Sequence, residues 1–117
     1  MTAVAPTCLS IDRALSYVGD MNGVQALLGT LESSLRSDLP LIQARLDASD
    51  LPGTNQLLHQ LKGFAPVFCV DALVAEVVRV ENLSKGTDLP AVREAYAHLA
   101  PQLNTLLTEV QAQLAKA

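Results

Sequence analysis

The sequence predicts an all-α fold, an antiparallel up-down-up-down four-helix bundle with a short extra N-terminal helix. Three observations carry that expectation. Half of the 117 residues are hydrophobic but only 3% are aromatic, so the core must be built from Leu, Val and Ala, a mixture suited to helix-on-helix packing. Apolar residues recur at three- and four-residue intervals over long stretches, the period of a helix with one buried stripe. The stretches are joined by short links rich in capping residues, and short links make neighbouring helices antiparallel.

Residues 1–9 read as a flexible tail and residues 10–117 as a single domain of ordinary size. Ser10 is an N-cap for a short helix that ends near Gly19. Asp20 caps a longer helix whose stripe is Val24, Leu27, Leu28, Leu31, Leu35, Leu39, Ile42 and Leu46. Pro40 falls inside it; the apolar phase survives across the proline, which predicts a bend and no reversal. Ala48–Gly53 is a connection, and the next helix is expected from Pro52 or Gly53 to Phe68. Cys69-Val70-Asp71 is a tight link, with Asp71 as the cap of a helix over Ala72–Ser84. Gly86 stops that helix, and Thr87 or Asp88 caps the last one. There Pro90 sits harmlessly in the first turn, Pro101 weakens one turn, and Val92, Tyr96, Leu99, Leu103, Leu106, Leu107, Val110 and Leu114 form the apolar side.

Composition excludes several roles. A net charge of −4 without any basic run argues against nucleic acid as a partner. No apolar stretch approaches the roughly 20 residues that span a bilayer, and Met1–Pro6 has neither the charged nor the apolar part of a secretory signal. Cys8 and Cys69 show no metal-ligand spacing and read as reduced thiols of a cytoplasmic protein. Glu94 and His98, one turn apart, are too few for a bundle metal site. No intrinsic cofactor or metal is expected, and a monomer is.

The chemistry concentrates at His59-Gln60-Leu61-Lys62-Gly63. On a helical wheel Leu57, Leu61, Phe64 and Phe68 lie opposite His59, while Pro52, Asn55, Gln56, Gly63, Pro66 and Val70 surround it. His59 therefore faces away from the core, where a structural histidine would not be placed. Neutral imidazole is a competent nucleophile towards phosphorus, Lys62 can attend an anion, and Gly63 leaves room for a docked molecule. Glycine-rich phosphate loops, a kinase-type loop and acids paired for magnesium are missing. The chain is therefore not expected to phosphorylate itself from ATP.

These residues resemble the signature of the histidine-containing phosphotransfer (HPt) domains of bacterial multistep phosphorelays, His-x-Leu-Lys-Gly. The likeness extends to Ile11–Leu15 with Gly19-Asp20, to Ser37-Asp38-Leu39-Pro40 and to Leu73–Asn82 with its ending Val80-Glu81. The resemblance implies that His59 accepts the phosphoryl group, Lys62 stabilises it and Gly63 gives clearance. It also implies exchange with the aspartates of response-regulator receiver domains, which supply magnesium, and a hybrid sensor histidine kinase upstream. Asn55, Gln56 and Pro66 lie where the wheel puts docking contacts. Three positions depart from the family pattern: Phe64 replaces a small residue, Pro66 removes a helical hydrogen bond to Lys62, and Cys69 replaces a glycine. They leave an alternative open, a bundle that docks a receiver or kinase domain without carrying phosphate. The start methionine and full set of helices favour a free-standing protein.

Overall fold

The computed structural model describes residues 7–116. Five helices follow in order, α1 (Ile11–Val18), α2 (Met21–Asp47), α3 (Leu51–Phe68), α4 (Asp71–Ser84) and α5 (Leu89–Ala115). Helix α2 packs on α3 and α5, and α4 completes the ring by packing on both α3 and α5. The short α1 lies across α2 and α3. This is the expected all-α bundle.

Side chains start most of these helices. Ser10, Asp20, Asp50 and Asp88 each accept the backbone N–H three residues on, which satisfies a donor the helix itself cannot. Asp50 begins α3 at Leu51, slightly before the expected Pro52 or Gly53. Helix α4 differs: Val70 is its N-cap and makes no side-chain hydrogen bond, while Asp71 is already helical. From this first helical position the carboxylate of Asp71 forms an ion pair with Arg13 of α1. Gly19 ends α1 with φ 98°, the left-handed conformation that glycine adopts without strain. Pro40, Pro66 and Pro101 all lie inside helices that continue past them.

The α2 stripe is buried from Val24 to Leu46, except that Leu27 is 41% exposed. Leu28, one position on, takes the inward direction instead. On α3 the buried set is Thr54, Leu57, Leu58, Leu61, Ala65 and Phe68, and Phe64 is half-buried against it. The apolar face of α3 is thus turned further towards Leu58 than the wheel suggests. On α5, Ala95 joins the buried side, and Leu107 and Leu114 are only half-buried.

The expected tail needs correction at its end. Residues 1–6 lie outside the described residues, but Cys8 and Leu9 are core residues. Leu9 forms an isolated antiparallel bridge with Cys69, through Ser10 N–H to Phe68 C=O at 2.7 Å and Val70 N–H to Cys8 C=O at 2.9 Å. From the other side, Glu109 of α5 accepts the backbone N–H groups of Thr7, Cys8 and Leu9. A segment with its polar backbone satisfied on both flanks and its side chains buried is a strap across the end of the bundle.

Candidate functional site

Helix geometry decides what surrounds His59. Asn55 and Lys62 are seven residues apart, two turns, and flank the histidine on one side; Gln56 and Gly63 bear the same relation on the other. The imidazole between them is 67% exposed. Helix α4 lies on the Asn55–Lys62 flank and brings Glu81 to it.

Glu81 has a fully covered side chain. Its Oε1 accepts from Lys62 Nζ at 2.9 Å and lies 3.4 Å from Lys85 Nζ. Its Oε2 accepts from Asn55 Nδ2 at 2.8 Å and lies 4.0 Å from His59 Nδ1. The Asn55 amide also reaches Ser84 Oγ at 2.9 Å, and that hydroxyl donates to the Glu81 carbonyl at 2.7 Å. The carboxylate is roofed by polar side chains and not sunk among the leucines. Burial alone pushes its pKa up, but hydrogen bonds from Lys62 and Asn55 and the charges of Lys62 and Lys85 outweigh that and hold it below the usual range. Glu81 is therefore ionised near neutrality.

The arrangement joins three of the sequence-identified residues, His59, Lys62 and Asn55, through a fourth that the chemistry of the motif did not single out. Asn55 turns its amide inward to this cluster. Gln56 and Gly63 are exposed on the opposite flank, and Pro66 is half-buried a turn beyond. A Cβ built on Gly63 meets nothing within 4 Å. Packing within the domain thus gives no reason for glycine there. Glu81 carried a sequence signal of its own. It falls one turn after Val77 on the buried face of α4, and a carboxylate on an apolar face calls for a cation.

Of the departures from the signature, Cys69 proves mild. It adopts extended backbone, φ −110°, which any residue can take, and its carbonyl accepts from Arg13 Nη1 at 2.6 Å. Cys8 and Cys69 are both free and buried. His98 is exposed on α5. Among the described residues no group of three or more His, Cys, Asp or Glu is placed to hold a metal, and no helix is long and apolar enough to cross a membrane.

The model of the Hpt domain family matches residues 26–113, most of the chain and all of α3, α4 and the His59–Glu81 cluster. The chain belongs to the Hpt domain family. No curated protein and no solved structure matches it. Membership assigns this Hpt domain to phosphotransfer in phosphorelays, where Hpt domains interact with receiver domains.

Proposed function

We propose that this Hpt domain is a phosphorelay intermediate that takes a phosphoryl group from a receiver aspartate onto Nε2 of His59 and passes it to another receiver aspartate. The observation that supports this most is the ionised Glu81 beside Nδ1 of a solvent-facing imidazole. An anion on that side favours the tautomer with hydrogen on Nδ1, which leaves the lone pair on Nε2, facing solvent.

In the step, the Nε2 lone pair forms a bond to phosphorus as the bond from phosphorus to the aspartyl oxygen breaks. The electron pair of the broken bond leaves with the aspartate, which departs as carboxylate. The ring keeps its Nδ1 hydrogen and gains positive charge, which Glu81 stabilises electrostatically. Lys62 attends the phosphoryl oxygens. Phosphoryl transfer asks mainly for positioning and charge stabilisation, and the receiver contributes its magnesium. The step runs in either direction, which is what a relay needs. Gln56, Gly63 and Pro66 form the docking edge, a hybrid sensor histidine kinase supplies the chain of transfer, and the domain acts as a cytoplasmic monomer.

The test is transfer from a phosphorylated receiver with magnesium to the wild type and to His59→Gln. The expected result is an acid-labile, base-stable label on the wild type alone. Binding of receivers without any label would replace this reading with that of a docking module.

A further inference from the structure

Glu81 has two lysines on one oxygen. Lys62 approaches Oε1 from α3 and Lys85 from one turn further along α4, the Glu-to-Lys spacing that lets side chains meet on a helix. One cation neutralises a carboxylate; here a unit of positive charge is left over beside His59. The two lysines are not equivalent. Only Lys62 lies on the helix of His59, three residues on and one-third exposed, whereas Lys85 is 54% exposed at the end of α4.

A phosphoryl group on His59 would compete with Glu81 for Lys62. If Lys62 turned to it without replacement, a covered carboxylate would lose its nearest cation, an arrangement folded proteins avoid. We propose that Lys85 is a positioning residue, the cation that holds Glu81 while Lys62 moves to the phosphoryl group. This rests on the reading of His59 as phospho-acceptor. No covalent bond changes in the exchange. The Lys62 ammonium moves its hydrogen bond from Glu81 Oε1 to a phosphoryl oxygen, and the Lys85 ammonium closes on Oε1. Asn55 keeps its hydrogen bond to Oε2 throughout, so the carboxylate facing Nδ1 does not turn.

The experiment compares the full chain with Lys85→Met, which keeps the apolar stem, and with Lys85→Arg. Two quantities are read: the rate of transfer from a phosphorylated receiver, and the titration of the Glu81 side-chain carboxyl by carbon-13 NMR before and after phosphorylation. Without phosphate, Lys85→Met should raise the Glu81 titration only slightly, because the hydrogen bonds from Lys62 and Asn55 are still in place. Its transfer should be slowed about tenfold, the factor that corresponds to one charge-assisted hydrogen bond. After phosphorylation its Glu81 should titrate at higher pH than in the wild type, and Lys85→Arg should restore both. Equal transfer by the wild type and Lys85→Met, or a Glu81 titration indifferent to phosphorylation in Lys85→Met, overturns the exchange while leaving the role of His59 intact. A wild type that takes no label at all overturns both.

Discussion

Asn55 Nδ2 holds Glu81 Oε2 at 2.8 Å, and this is the oxygen that faces the ring of His59. The amide therefore orients the carboxylate that lies 4.0 Å from the imidazole, from a position one turn before the histidine. Asn55→Ala should lower stability by about 1–2 kcal/mol, the usual effect of stripping a hydrogen bond from a covered charged group. It should slow transfer while leaving receiver affinity near the wild-type value. Gln56→Ala, on the exposed flank, should do the reverse and leave stability within about 0.5 kcal/mol. Urea unfolding and receiver titration of the two variants, run in parallel, separate orientation from docking.

Gly63 sets stability against function. Its Cβ would enter open space, so Gly63→Ala should stabilise the domain by up to about 1 kcal/mol through helix propensity alone. Transfer from a receiver should nonetheless fall, because the added methyl stands where the partner must approach. A variant that is more stable and equally fast would remove the clearance argument.

The strap makes stability depend on acid. Burial tends to raise the Glu109 carboxyl, but hydrogen bonds from the Thr7, Leu9 and Cys8 backbone and the Thr7 hydroxyl outweigh it, leaving it below its ordinary value of 4.5. A carboxyl lowered by folding stabilises the folded state fully above the unfolded value and loses that contribution as pH falls through the lower folded one. The unfolding midpoint should therefore drop below about pH 4.5. Part of that drop should vanish in Glu109→Gln, which is weaker than the wild type at pH 7 and closer to it at pH 3.

Both thiols should be inert in the folded protein. Burial pushes Cys69 up to about 12, with the neighbouring Cys8 adding to the rise and Arg13 opposing it, and burial also raises Cys8. Since the thiolate is the reactive form, alkylation at pH 8 should proceed only as fast as the strap or the whole domain opens. Labelling rates with rising urea should follow unfolding; rapid labelling in buffer would contradict the burial.

The helices were legible because their signals are local. Ser10, Asp20 and Asp88 cap where a polar residue precedes an apolar-periodic run, and the wheel placed His59 outside from the positions of Leu57, Leu61 and Phe68. Relations between helices were not legible. Nothing in the spacing of α3 says that Lys62 and Asn55 meet one carboxylate of α4, or that Arg13 of α1 pairs with Asp71 in the first turn of α4. Residues 7–9 were hidden for a similar reason. Their partners, Glu109 and the Phe68–Val70 link, are some 60 to 100 positions away, and a short extended segment without periodicity looks like tail until the groups that satisfy it are known.

The strap also brings the two ends of the described residues to one place. Thr7 is held by Glu109, and Lys116 borders the same surface hollow as Leu9 and Ser10. Chain entry and exit share one pole, about 15 Å along α3 from His59. Joining the two ends by a short linker and reopening the chain at the turn near Ser49 should give a circular permutant that still folds.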